Sequence, residues 1–278
     1  LNIKNINFNE KHELIRDYVF IFFMMGNDFL PHFPSLNIRT DGISYILDAY
    51  KLTLLKKGNL TTNNKIIWKN FQYFINLLSS QEEDYFKLEH NKREKMSLKI
   101  DKNSIEEKDR YLNLPLLNRN KEIYINPNEE GWEKRYYNVL FNLEKNENNI
   151  KKIVNNYLEG LEWTLKYYTA GCVDWEWYYK YNYPPLLNDI RPFIPYFDIE
   201  FLEIKNNTPI DSQLQLAYVL PIDNIDLLSK NIQQKILLNK ENTSSDIKLE
   251  YSYCRYIWEA HINGDFLDLK ELKNIVEK

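Results

Sequence analysis

The sequence predicts a mainly α protein, an irregular multi-helical domain. Three observations predict it. Apolar residues recur at helical spacing around 43–54, 67–78 and 150–168. Helix stops punctuate the chain, with Gly26, Lys56-Lys57-Gly58 and Gly171 following apolar stretches. A hydrophobic content of 44% with 15% aromatics is ample for a core, so disorder throughout is excluded.

In chain order, Glu13 to Met25 carries an unbroken apolar run from Tyr18, which glycine at 26 ends as a helix. Apolar all round in its second half, it is expected to be covered on all sides there. Thr40-Asp41 reads as a cap for the next helix, whose Ile43, Ile46, Leu47, Tyr50 and Leu54 share one face. Asn59 to Asn64 is a polar turn and the candidate module boundary. Beyond it Ile67, Phe71, Phe74, Ile75 and Leu78 make a second stripe.

From Gln81 to Arg110 the pattern dissolves into mixed charge, as in Glu82-Glu83-Asp84 and Lys92-Arg93-Glu94-Lys95. This reads as a solvated helical face or a flexible excursion. Tyr111 to Asn128 is irregular, broken by Pro115 and Pro127, and Trp132 to Leu140 starts another helix. The longest helix is expected over Ile150 to Tyr168, with Gly160 inside it marking close backbone packing or a kink. A Trp- and Tyr-rich cluster, Trp175 to Tyr183, leads into a proline-punctuated loop to Asp198. Gln213 to Leu220 reads as a short helix stopped by Pro221, 222–242 as mostly helical and Thr243-Ser244-Ser245 as a turn. Lys248 to Trp258 fits strand or helix, and Leu267 to Val276 closes the chain as a helix.

The net charge of -4 carries no global basic signature, so an anionic ligand must be met by a local patch, metal ions or stacking. Two cysteines cannot form a disulfide framework or a zinc site, which suits a reducing compartment. Four scattered histidines, no nucleophile elbow and no glycine-rich phosphate loop exclude the commonest hydrolase and nucleotide-binding signatures. No apolar run reaches membrane length, so no membrane partner is expected. A start at Leu1 reads as a piece of a longer polypeptide.

Two constellations remain. Asp28, in the turn Gly26-Asn27-Asp28-Phe29-Leu30-Pro31-His32, is either a cap for that turn or a metal ligand. Asp17 and Asp41 read as a helix residue and a cap, so companion ligands would have to come from sequence before Leu1. His32 could bond a ligand, a phosphate or a backbone carbonyl. The Trp175–Tyr183 run reads either as packing or as flat rings on which bases stack, with Lys166 and Lys180 within reach of phosphates.

The stretch Gly26 to Leu36 resembles a signature of the XRN family of 5′→3′ exoribonucleases. The resemblance continues through Ile38-Arg39 and Tyr45 to Tyr50. It returns at Trp132-Glu133-Lys134-Arg135-Tyr136-Tyr137 and at Tyr157-Leu158-Glu159-Gly160-Leu161-Glu162-Trp163, then at Gly171-Cys172, Trp175 and Trp177-Tyr178-Tyr179, and last at Gln213-Leu214 with Val219-Leu220-Pro221. It is weakest at 81–128 and after 222. The resemblance implies Mg²⁺-dependent, processive hydrolysis of single-stranded RNA bearing a 5′ monophosphate, with two ions in the intact enzyme. Asp28 would be a metal-binding catalytic residue. Trp177, then Trp175, would stack on RNA, with His32 as a further RNA contact.

It also implies a division of the chain. Residues 1–58 would complete the end of an α/β nuclease core that this chain otherwise lacks, and 59–278 would form a helical domain packed on it. The N-terminal core of the same polypeptide would then be a partner, in the cytoplasm or the nucleus, with the cytoplasm preferred. The alternative is a non-catalytic RNA-binding or scaffolding module that keeps the helical fold. Two departures stand out: Asn182 replaces a histidine common in the family, and Asn37 an aspartate.

Overall fold

Fifteen residues of helix α1 (Phe8–Phe22) run into a 3-10 turn, Phe23–Met25. In this computed structural model the described residues are 8–101, 105–205, 207–220, 222–238, 248–263 and 269–277. Phe20, Ile21, Phe23, Met24 and Met25 are buried as the apolar run requires. The run is not covered all round, however, because Ile15, Tyr18 and Val19 face outward. The last two residues lie on a different helical face from Asp17 and Phe20, so amphipathicity persists inside the run.

A second 3-10 turn (Pro34–Leu36) leads to α2 (Gly42–Lys56). Asp41 stands at the start of α2 without a side-chain capping bond and pairs instead with Lys92. The polar turn predicted at 59–64 is a hairpin, β1 (Thr61–Thr62) antiparallel to β2 (Lys65–Ile66), with Asn63 and Asn64 at positive φ. It is tied back to α1: the Asp17 carboxylate accepts from Leu60 N, Thr61 N, Thr61 Oγ1 and Tyr50 OH, all at 2.7–2.9 Å. The core is continuous across residue 58, since buried residues of α1, α2 and α3 (Trp68–Ser79) belong to one cluster.

The charged stretch that follows is a regular helix, α4 (Glu82–Leu98), with a solvated face that includes Glu83, Asp84, Asn91, Glu94 and Lys95 and a buried face that the mixed charge did not announce. Glu82, Glu89, His90 and Arg93 are buried, and the side chains of Glu82, Glu89 and Arg93 are bonded by distant segments. Glu82 accepts from the backbone N–H groups of Leu187 (2.6 Å) and Asn188 (2.9 Å), and burial pushes its pKa up to about 8. Glu89 accepts from Asn37 and Thr40. Arg93, 1% exposed, forks onto Glu122 at 2.7 and 2.9 Å and donates to Tyr253 O and Cys254 O. Glu122 also takes Arg119 and the Tyr253 N–H. The two guanidiniums outweigh burial and hold its carboxyl below the ordinary range, although burial is the largest single influence on it.

Helix α5 (Glu107–Leu112) ends the charged stretch, and the part read as irregular, from Tyr111 to Asn128, holds two more short helices, α6 (Leu114–Leu117) and α7 (Asn120–Ile125). Helix α8 (Trp132–Phe141) buries Trp132, Tyr136 and Tyr137. Helix α9 (Glu147–Ala170) starts on an Asn146 cap, whose side chain accepts from Asn149 N at 2.9 Å, and supplies the central beam of the core. After it the chain is loop-rich, interrupted by α10 (Leu187–Ile190).

A separate small cluster gathers Leu214 from α11 (Ser212–Val219), Leu228 from the bend that follows, Ile232 and Ile236 from α12 (Lys230–Leu238) and Leu272 from α13 (Leu269–Glu277). Between α12 and α13, β3 (Lys248–Glu250) pairs antiparallel with β4 (His261–Asn263). Pro221, the helical reading of 239–242, the turn at 243–245 and the expected helix start at 267–268 lie outside the described residues. Mainly α is the fold: among the described residues the sheets are two short two-stranded ones.

Candidate functional site

The loop from Gly26 to His32 is closed by its own backbone. Gly26 N donates to Phe23 O, Asn27 N to Leu30 O and Phe33 N to Met24 O. Gly26 has φ +92°, and a Cβ there would come within 3.0 Å of the His32 Cβ, so both conformation and space select glycine. The turn is capped by Asn27, not Asp28: Asn27 Oδ1 accepts from Phe29 N and Leu30 N at 2.8 and 2.9 Å. Asp28 is thereby left exposed, with no hydrogen bond or ion pair to its side chain among the described residues.

Behind the loop stands an aromatic wall. Phe29 meets Trp163 and Tyr167 edge-on, with ring centroids at 4.8 and 4.9 Å. Trp163 and Tyr167, one helical turn apart on α9, are stacked at 5.2 Å and 10°. Trp177 stacks on Trp163 at 5.2 Å and 21°. Gly160 makes this convergence possible: a Cβ there would lie 2.7 Å from both Leu30 Cδ2 and the Trp177 ring. Its role is thus close packing between the loop, α9 and the Trp-rich segment.

The structure therefore brings Asp28 and Trp177 to one place through Phe29, Leu30, Gly160 and Trp163. Trp177 is half-buried, and among the described residues its Nε1 has no hydrogen-bond partner. Trp175 is 43% exposed and anchored by its backbone N–H to Asn207 Oδ1. Lys166 is not a phosphate-facing cation but a buried partner of Glu162 at 2.8 Å.

His32 faces a different feature, a cleft of about 370 Å³ lined also by Asn27, Arg39, Asn182, Cys254 and His261. There it hydrogen-bonds the backbone of Tyr253. Burial, with Arg93, His261 and Arg39 nearby, lowers its pKa to about 4, so the ring is neutral near pH 7. Among the described residues no ring contact joins it to Trp175 or Trp177.

The family model described as Xrn1 helical domain matches residues 8–126 and 118–278, nearly the whole chain. The chain belongs to the XRN family. Its relatives agree with the XRN assignment. A Drosophila melanogaster protein named 5′-3′ exoribonuclease 2 homolog is 24% identical over 98% of this chain and 35% of its own length. A Gallus gallus protein named 5′-3′ exoribonuclease 2 is 24% identical over 95% of the chain and 35% of its own. One from Aspergillus oryzae is 30% identical over 54% of the chain and 15% of its own.

The chain thus spans about a third of the length of the first two relatives. The XRN family match starts at residue 8 and runs without interruption through 58. No helix among the described residues is long and apolar enough to cross a membrane.

Sequence reasoning missed Trp163 and Tyr167 as parts of the site. The four-residue spacing of Trp163 and Tyr167 was the available signal, because it puts both rings on one helix face.

Proposed function

We propose that this chain is the helical part of a 5′→3′ exoribonuclease acting on single-stranded RNA with a 5′ monophosphate. In this reading Asp28 contributes a carboxylate to an Mg²⁺ site, and Trp177 and Trp175 line the path of the RNA bases. The observation that carries it is the placement of an exposed, unpartnered Asp28 beside an aromatic wall, within a chain that matches the family throughout.

Fit to the metal is partial and consistent. Asp28 offers free anionic oxygens on a loop fixed by Asn27, the hard donor that Mg²⁺ takes. Among the described residues no three His, Cys, Asp or Glu side chains could hold an ion together. Asp17, the nearest acid along α1, is saturated by four donors. The other ligands would then come from the rest of the polypeptide, the partner that also covers Ile15, Tyr18 and Val19. When bound, Mg²⁺ supplies Lewis-acid stabilisation of the attacking and leaving oxygens.

This chain's own residues do the positioning. Phe29 and Leu30 pack the loop that carries Asp28 against α9 and Trp177. Trp175 offers an open ring, and base stacking on such rings is tolerant of sequence, as processive threading requires. His32, neutral and bonded to the Tyr253 backbone, braces the loop from the cleft side.

The test is decay of a 5′-monophosphorylated RNA by the full-length protein with Asp28 replaced by alanine. Loss of Mg²⁺-dependent decay with RNA binding retained supports the assignment; undiminished decay removes Asp28 from the metal site. A wild-type protein that binds RNA without degrading it would establish the non-catalytic module instead.

A further inference from the structure

We propose that Trp258, stacked on Tyr256 and flanked by Arg255 and Arg39, is a second platform on which an unpaired RNA nucleotide stacks. It lies on the rim of the His32 cleft formed by Arg39 and Glu259. The proposal rests on the RNA-directed reading above and adds to it a contact far along the chain from Trp175 and Trp177.

The local sequence is Arg255-Tyr256-Ile257-Trp258-Glu259. Ile257 is buried, and the rings on either side of it remain outside the core. A 3-10 turn holds the segment, with Glu259 N donating to Tyr256 O at 3.1 Å and Ala260 N to Ile257 O at 3.0 Å. Glu259 Oε2 accepts from Arg255 N at 2.8 Å, and Cys254 Sγ donates to Glu259 O. The platform is therefore pre-organised, and a ligand orders little of it on binding.

Trp258 and Tyr256 are parallel, 4.3 Å apart at 15°. The Arg255 guanidinium lies 4.2 Å over the Tyr256 ring while donating to Asn113 Oδ1 at 2.8 Å. Arg39 lies 5.9 Å over the same ring and pairs with Glu259 at 2.6 Å. These planar groups form a stack with an open end, since Tyr256 covers one indole face and Trp258 is still 63% exposed. A tryptophan kept this far out of the core, on a rigid turn, leaves a large π-face in water.

Two observations favour a nucleotide over an apolar peptide. The Arg39 guanidinium pairs with Glu259, whereas the Arg255 guanidinium is bonded to the neutral Asn113 side chain and lies over the Tyr256 ring, so positive charge is left for a phosphate. The adjoining cleft has a mixed lining, in which Asn37, Asn182, Ser252 and His261 stand among Met25, Leu30 and Ile38, and those amide, hydroxyl and imidazole groups can hydrogen-bond a base edge. The cleft also connects the platform with the Gly26–His32 loop, because Asn27, His32, Arg39 and Glu259 all line it.

The test measures binding of a 3′-fluorescein oligouridylate by the full-length protein in EDTA, which prevents cleavage. Trp258→Ala is expected to weaken binding roughly tenfold, the size of one lost base stack, with an unchanged melting temperature. Trp258→Tyr is expected to keep most of the affinity. Unchanged affinity in Trp258→Ala overturns the platform alone. A lower melting temperature with unchanged affinity also overturns it, making Trp258 a packing residue against another part of the polypeptide. A wild-type protein that binds no oligouridylate overturns both this proposal and the function on which it rests.

Discussion

Asp17 and Asp28 are eleven residues apart, on either side of one apolar run, yet they occupy opposite chemical states. Asp17 is sealed beneath the β1–β2 hairpin and accepts four hydrogen bonds. Burial still outweighs those donors and raises its pKa. Asp28 stands in water on a loop whose capping has been taken over by Asn27. The contrast teaches that carboxylate availability is set by who else satisfies the local backbone. A saturated aspartate holds the fold, and an unsaturated one on a rigid loop is free for a ligand.

The strongest way to break that comparison is Asp28→Ala in the full-length protein. Decay of 5′-monophosphorylated RNA is expected to fall by roughly a thousandfold or more, with no change in melting temperature. A destabilised variant would place Asp28 with Asp17 as a structural group. Asp17→Ala is expected to do the reverse. It orphans buried donors on Leu60, Thr61 and Tyr50, costing about 3 kcal/mol of stability with activity per folded molecule preserved. Denaturant melts with parallel rate measurements read both quantities.

Gly160→Ala sharpens the comparison by perturbing the wall while leaving Asp28 itself intact. The new methyl has to displace Leu30 and Trp177, at a cost of about 1–3 kcal/mol. Decay is expected to slow because the loop and the stack no longer meet; an unchanged rate would mean that their packing is irrelevant to the site. The smallest effect at neutral pH is expected from His32→Gln. His32 titrates lower in the folded state than in the unfolded chain, so its contribution is fully present above about 6.5 and is lost as pH falls toward about 4. The wild type should therefore lose melting temperature over that window more steeply than the variant.

The helices at 42–56, 68–79 and 147–170 were legible because their stripes are local and periodic. Helix α4 has the solvated face that mixed charge suggests, but its buried charged face was not legible for a specific reason. The partners that make Glu82, Glu89 and Arg93 buriable lie at Leu187–Asn188, Asn37 and Glu122, and no local window contains them. A mixed-charge run looks solvated until those partners are known.

The site divides in the same way. Asp28 and the tryptophans stood out by type and by family resemblance, and Gly160 hinted at close packing. That Gly160 joins the two regions is a tertiary fact, carried by Leu30 on one side and Trp177 on the other. The capping role of Asn27 was in principle readable, since Asn bonds its own backbone two and three residues on as well as Asp does.

The Arg93–Glu122 network has a temporal consequence. Its first two members are close in sequence, but the groups that complete it, the Tyr253 N–H and the carbonyls of Tyr253 and Cys254, emerge from the ribosome 131 residues or more after Glu122. At ordinary translation rates that interval is on the order of 10 s. During it the arginine and glutamate lack the backbone lid that seals them. The segment at Tyr253 and Cys254 thus acts as a latch on the first half of the chain, and a nascent chain halted before Tyr253 would present an open, charged seam to chaperones and proteases.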